Sequence, residues 1–319
     1  MWAVEFVQRN SSDIELLIQG FQSWGKLCYR ANNLEEAQEK LQKAEKLCLS
    51  GPLVSNLYGY VLEDLAEVYH QLDAFSNAEA CYQKALKLHQ DTNDILHQGN
   101  SYSGLGYLCL RQGIINEAST FYQCAIQCHE EVNDTFQLGI DYGGLGQVYL
   151  KQNRLIEAES AIQKALKFHT RVNSFLQQGH CYAGLVYLYL RLNKLEDATA
   201  ACEKALELYK SVNNILCQGQ VHQGFGNIYI SQGKLDEAEI SFRKALELFT
   251  MTKNACGQGE SFSKLGHIYM TRGQLDDAKE MLEKALDFHR KAQNSVLENQ
   301  DAMYLSTVIT QIEEGGSME

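Results

Sequence analysis

A forty-residue spacing runs through this chain. Gly59, Gly99, Gly139, Gly179, Gly219 and Gly259 recur at that step, as do Ala78, Ala118, Ala158, Ala198, Ala238 and Ala278, and again Ala85, Ala125, Ala165, Ala205, Ala245 and Ala285. A period in this range marks supersecondary units stacked in line, each too small to bury its own apolar face. A divergent first unit carries Trp24-Gly25, Ala37 and Ala44, one residue out of phase, so seven units are read. Length alone, 319 residues, would have argued for about two ordinary domains. The period replaces that count with an array.

Within one unit, Tyr102, Leu105, Gly106 and Cys109 fall at i, i+3, i+4 and i+7, the apolar stripe of an amphipathic helix. Ala118, Phe121, Tyr122, Ala125 and Ile126 form a second stripe beyond Gln112-Gly113. Each unit therefore reads as helix–turn–helix, with helices of about 16–18 residues, roughly 25 Å long. Gly113, Asn153, Asn193, Gly233 and Gly273 suit the left-handed residue that ends the first helix. Asn93-Asp94, Asn133-Asp134, Asn173-Ser174 and Asn213-Asn214 set a stop beside an N-cap for the next helix. The expected fold is all-α, a solenoid of about seven helical hairpins over residues 12–295. Residues 296–313 form one more amphipathic stretch, read as a capping helix on the last hairpin. Residues 1–11 are a lead segment containing Trp2, Phe6 and Val7, with Ser11-Ser12-Asp13 as an N-cap cluster after it, and 314–319 are a flexible tail.

Composition narrows the function. Lys+Arg 28 against Asp+Glu 40 gives a formal charge of −12, which repels polyanions and makes nucleic acid and acidic membranes poor partners. No apolar run reaches the roughly 18–20 residues that span a bilayer, and the start lacks a signal-peptide pattern. The ten cysteines show no C-x-x-C pair, so they read as small hydrophobes of a reduced chain, and a cytoplasmic location is expected.

The run Tyr142-x-x-Leu145-Gly146-x-x-Tyr149, followed by Ala158, Ile162 and Ala165, resembles the tetratricopeptide repeat (TPR), and six further units vary it. Cys109 in place of an aromatic, Val186 in place of a small residue and the lack of a proline after the second helix depart from that pattern. The period of 40 is similar to that of the Pins/LGN cell-polarity adaptors and of sensor domains in some signalling NTPases. The resemblance implies a right-handed solenoid whose first helices line a concave groove that binds protein segments.

Carried onto this sequence, the groove positions are Arg30, Glu67 and His70 in the first two units, then Asn100, Tyr107 and Arg111, then Gln147 and Lys151, then His180, Tyr187 and Arg191, then Gln223 and Asn227, and last Lys264 and His267. Arg111, Lys151 and Arg191 share one repeat position, and such a cationic row suits acidic residues on an extended ligand. A coincidence of charged helix ends is the other reading. Glu63, Asp64 and Glu67 make the N-terminal end of the groove acidic. Tyr107 and Tyr187 are either flat anchors or packing residues. Gly104, Gly144, Gly184 and Gly224 share a helix-interior position where glycine costs stability, so either repeats pack closely there or a ligand backbone approaches.

Nothing in the sequence assembles a nucleophile with a base, a paired-carboxylate cleft, a phosphate loop or a metal motif. His89, His129, His169 and His289 recur on second helices and read as inter-repeat or surface residues. The expected function is a non-enzymatic scaffold or adaptor without cofactor or metal, binding an extended or short helical segment of a protein partner, with no nucleic acid and no membrane insertion. The alternative is a sensor or regulatory TPR domain of a larger signalling NTPase.

Overall fold

The computed structural model describes residues 14–50 and 55–316, and the lead segment 1–11 lies outside them. The described residues form fifteen helices and no strand: α1 (Ile14–Arg30), α2 (Leu34–Ser50), α3 (Ser55–Gln71), α4 (Phe75–Asp91), α5 (Ile95–Gln112), α6 (Ile115–Glu131), α7 (Thr135–Lys151), α8 (Leu155–Arg171), α9 (Phe175–Arg191), α10 (Leu195–Ser211), α11 (Ile215–Ser231), α12 (Leu235–Met251), α13 (Ala255–Thr271), α14 (Leu275–Lys291) and α15 (Ser295–Gly316). The chain divides into two compact units, Met1–Val172 with α1–α8 and Asn173–Glu319 with α9–α15. Each unit is an all-α stack of TPR-type hairpins.

The turn chemistry follows the sequence closely. Gly113, Gly233 and Gly273, together with Asn93, Asn133, Asn153, Asn173, Asn193 and Asn213, all adopt positive φ at helix ends. Asp94 accepts from the backbone N–H of His97, Asp134 from those of Phe136 and Gln137, and Asn214 from that of Cys217. Ser174 departs from its expected role, since its side chain makes no cap hydrogen bond.

Packing within each unit has two layers. Every odd-numbered helix from α1 to α13 pairs with the even-numbered helix after it. Successive odd helices also touch one another, α1 with α3, α3 with α5 and α5 with α7 in the first unit, and α9 with α11, α11 with α13 and α13 with α15 in the second. The even helices make no such mutual contact among the described residues, so the odd helices form the inner face of each unit. The fourteen alanines of the repeat, from Ala37 and Ala44 to Ala278 and Ala285, are fully buried where paired helices close on each other.

The period-forty glycines have a specific task. Each receives the flat ring of a residue thirty positions later on an even helix: His89 on Gly59, His129 on Gly99, His169 on Gly139, Tyr209 on Gly179, Phe249 on Gly219 and His289 on Gly259. A Cβ at Gly99 would lie 2.5 Å from His129 Nε2, and one at Gly219 would lie 2.8 Å from Phe249 Cε1. The histidines are therefore buried inside their own hairpins and are not surface residues, and two of them also reach the next repeat. His129 Nδ1 bonds the Asp141 carboxylate at 2.6 Å, and His289 Nδ1 bonds that of Asp301 at 2.7 Å, all four side chains being buried. Burial raises the Asp141 carboxyl, with its histidine partner acting in the opposite sense.

The last helix, α15, packs on α14 through buried Val308 and Asp301 and through half-buried Tyr304, Leu305 and Ile312. Val296, Met303 and Ile309 on the same helix stay exposed. The helix continues past residue 313 to Gly316.

Candidate functional site

The inner helices of the second unit carry three clefts, one after another. The first, of about 260 Å³, lies between α9 and α11 and is lined by Ala183, Val186, Tyr187 and Leu190 on one side and Gln220, Gln223, Gly224 and Asn227 on the other, over Cys202 and Tyr209. A second of about 190 Å³ continues from the same Gln223 and Asn227 to Glu260, Ser263, Lys264 and His267 on α13 and Gln300 on α15. The third, about 280 Å³, shares Lys264, His267 and Gln300 and adds Ile230, Thr271 and Tyr304. Each is smaller than the roughly 300–1,000 Å³ of a small-molecule pocket. Together they form a row of side-chain-sized depressions at repeat spacing.

Five of the residues expected from sequence, Tyr187, Gln223, Asn227, Lys264 and His267, line this row. Tyr187 is 52% exposed, which marks it as an available ring and not a core residue. Arg191, one turn on, lies over that ring and within 3.5 Å of its hydroxyl. His180 is exposed at the start of α9 and bonds the Tyr209 hydroxyl at 2.9 Å. Gln223 donates weakly to Glu260 and Ser261, so the cleft floor is already a polar net. His267 stands edge-on to Tyr304 at 4.0 Å, and burial followed by nearby Lys264 keeps its imidazole below the usual range.

The first unit treats its expected residues differently. Tyr107, Arg111, Gln147 and Lys151 are exposed on α5 and α7, and Arg30 and Glu67 are exposed on α1 and α3. Arg111 lies over Phe75 and 3.6 Å from Asp73. His70 is buried beneath the ring of Tyr107, at 4.7 Å. Asn100 is occupied between repeats, its Oδ1 accepting from Gln137 at 2.6 Å and lying 3.3 Å from His129 Nε2. The acidic end is partly neutralised: Asp64 holds Lys26 and Gln22, and Glu63 holds His97 and Ser101. Glu67 keeps its exposure, and desolvation with Asp64 and Glu63 nearby pushes its carboxyl up to about 7.

The two readings of the helix-interior glycines now separate. The Tyr82 ring lies against Gly104 and the Tyr122 ring against Gly144, so close packing accounts for both. Gly224, beside the Cys202 sulfur, also borders the first cleft. The cysteines are all free. Burial pushes the thiols of Cys48, Cys81 and Cys109 up to about 11 and those of Cys181 and Cys202 up to about 12, which removes them as nucleophiles at neutral pH.

Sequence reasoning did not find the apolar floor of the first cleft or the contribution of α15. Val186 was the available signal for the floor. It stands where other units carry glycine, as in Gly106 and Gly226, and its side chain is part of the cleft wall.

A profile of the MalT-like TPR region matches residues 55–223, just over half of the chain, and a tetratricopeptide-repeat profile matches residues 218–291. The chain belongs to the MalT-like TPR family. No curated protein sequence matches this TPR chain. Among solved structures it is similar to a Rap protein complexed with competence and sporulation factor, at 16% identity over 95% of this chain and 87% of that one, with a TM-score of 0.71. It is also similar to the Rap conjugation gene regulator of plasmid pLS20 in complex with the Phr* peptide, at 15% identity over 88% and 76%, with a TM-score of 0.67. A third is a signal-transduction ATPase with a tetratricopeptide-repeat sensor from Pyrococcus horikoshii, at 16% identity over 93% of this chain and 44% of that one, TM-score 0.70. At such identities the likeness is one of fold. No helix among the described residues is long and apolar enough to cross a membrane.

Proposed function

We propose that this TPR protein is a non-enzymatic scaffold that binds an extended or short helical segment of a protein partner along its inner helices. The reading rests on one observation above others: the row of three clefts on α9, α11, α13 and α15, bordered by Tyr187, Gln223, Asn227, Lys264 and His267. Side-chain-sized depressions at repeat spacing, mixing aromatic anchors with amide hydrogen-bonding groups, suit consecutive side chains of a peptide better than one compact ligand. That one structural neighbour was solved with a peptide supports the same use of the fold. Acidic residues on the partner would face the exposed cations Arg111, Lys151 and Arg191 on their respective helices. Because the helices are held in place before binding, ordering of the partner segment is the main entropic cost, and several anchors must offset it.

The test is selection of binders from a phage-displayed random peptide library on the full chain, followed by affinity measurement on Tyr187→Ala/Asn227→Ala/Lys264→Glu with its helicity verified. Selected peptides should lose at least about tenfold in affinity. Enrichment of no peptide, or equal binding to the variant, would overturn the reading. The second reading, a sensor segment of a larger signalling NTPase, is favoured by the likeness to the Pyrococcus sensor. A nucleotide-binding domain upstream in the parent chain would decide for it, and the 40-residue period is the ground for setting the chain beside Pins/LGN adaptors instead.

A further inference from the structure

Two positions on successive hairpins of the first unit, Glu63 on α3 and His97 on α5, depart from their counterparts and meet in space. At the position of Glu63 the later repeats carry Ser103, Gly143, Ala183, Gln223 and Ser263, and at the position of His97 they carry Gln137, Gln177, Cys217, Gly257 and Leu297. Among these counterparts a carboxylate thus meets an imidazole of the following repeat at this one place only. Both turn toward the ring of His89, the residue seated on Gly59. Glu63 Oε2 lies 2.7 Å from His97 Nδ1, and Glu63 Oε1 lies 3.6 Å from His89 Nε2. All three donor atoms fall within 4.8 Å of one another.

His89 supplies an independent sign. Of its histidine counterparts, His129 and His289 each bond a carboxylate twelve residues on and His169 has Cys181 there, whereas His89 has Ser101, whose hydroxyl turns to Glu63. Fully buried, His89 is left with neither ring nitrogen hydrogen-bonded among the described residues. A buried imidazole with both nitrogens unsatisfied carries a desolvation cost that a ligand on Nε2 would remove. The surroundings fit such a ligand. Asp94 Oδ2 stands 3.9 Å from His89 Nδ1, on the side away from Glu63, and is held there by the Tyr60 hydroxyl at 2.9 Å. A carboxylate behind a ligating histidine is the usual outer partner of a metal site, and Ser101 orients the Glu63 carboxylate from the other direction.

We propose that Glu63, His89 and His97 form a binding site for a divalent transition-metal ion, zinc by its ligand type, that ties α3, α4 and α5 together. Zinc takes nitrogen and oxygen ligands at about 2.0–2.2 Å, which sets neighbouring donor atoms about 3.3 Å apart in a tetrahedron. The separations of 2.7 Å from Glu63 Oε2 to His97 and 3.6 Å from Glu63 Oε1 to His89 lie on either side of that value, and with all three donors within 4.8 Å of one another, side-chain rotations suffice to close the geometry. Three protein ligands leave one position for water. The Glu63 carboxylate and Asp94 behind His89 offset the ion's charge.

The test uses the full chain, kept reduced and stripped of metal with chelator, titrated with Zn²⁺ by calorimetry and with Co²⁺ by visible absorption. Two variants copy residues that sibling repeats already carry, Glu63→Ser and His97→Gln, so each keeps a side chain the fold accepts. One equivalent of Zn²⁺ is expected to bind the native chain, with a Co²⁺ spectrum free of thiolate charge-transfer bands. At a hundredfold excess over Kd the melting temperature should rise by about 5–10 °C. Each variant, folded by circular dichroism, should lose at least about tenfold in Zn²⁺ affinity together with the thermal shift. Failure of the native chain to bind, full affinity in either variant, or a thiolate spectrum from the cysteines would overturn the proposal and leave Glu63–His97 as an inter-repeat ion pair.

Discussion

The seam at Gly99 in the first unit and the seam at Gly219 in the second solve one packing problem with opposite chemistry. In the first, the His129 ring lies on the glycine and its Nδ1 is tied to buried Asp141. In the second, the Phe249 ring fills the same place with no polar atom at all. Shape is therefore what the repeat demands of this position, a flat ring over a missing Cβ. Polarity is a local choice, and each polar choice brings its own partner requirement. Where that partner is a carboxylate twelve residues on, the seam closes. His89 lacks it, and the cluster with Glu63 and His97 forms there.

The comparison can be broken most severely by removing the partner and leaving the ring. Asp141→Ala should cost about 3–5 kcal/mol in denaturant unfolding, because it strands a buried imidazole. No equivalent penalty exists at the Phe249 seam. Filling the glycine comes next. Gly99→Ala should destabilise by about 2–3 kcal/mol and Gly219→Ala by about 1–2 kcal/mol, overpacking being partly offset by the better helix propensity of alanine. The order follows from the hydrogen bond that pins His129, whereas Phe249 has no such tether. Equal losses would show that the tether does not matter.

A paired exchange should do far less. His129→Tyr/Asp141→Val copies Tyr209 and Val221, and Tyr209 sends its hydroxyl to His180, whose counterpart is Asn100, an acceptor. The double variant should unfold within about 1 kcal/mol of the native chain, as well-packed replacements of buried polar pairs often do. The smallest effect concerns Glu67. Its folded carboxyl, raised to about 7 by desolvation and neighbouring acids, holds its proton more tightly than the unfolded chain does. Its contribution is therefore favourable at low pH and is lost as pH climbs from about 4.5 through 7. The melting temperature should fall less between pH 5 and pH 8 in Glu67→Gln than in the native chain.

The hairpins were legible in the sequence because each boundary is written in residues with a strong local preference, such as Gly113 and Asn133, and because every unit repeats the statement. Tyr187, Gln223 and Lys264 were placed by translating one period along the inner helices. Local spacing could not show that Asn100 spends its amide on Gln137 and His129, nor that His70 lies under Tyr107, since those contacts join residues 29 to 37 positions apart. The purpose of the period-forty glycines was hidden for the same reason. The ring that each accepts comes from the next helix, thirty residues on.

Photo-cross-linking tests the functional account most directly. A photoreactive phenylalanine analogue placed at Tyr187 or His267 on the inner helices, and separately at exposed Ile240 on α12, is irradiated with a selected peptide bound to the full chain. Adducts from positions 187 and 267, with none from 240, are the predicted result. Adducts from 240 alone would place the ligand on the outer helices and contradict the account.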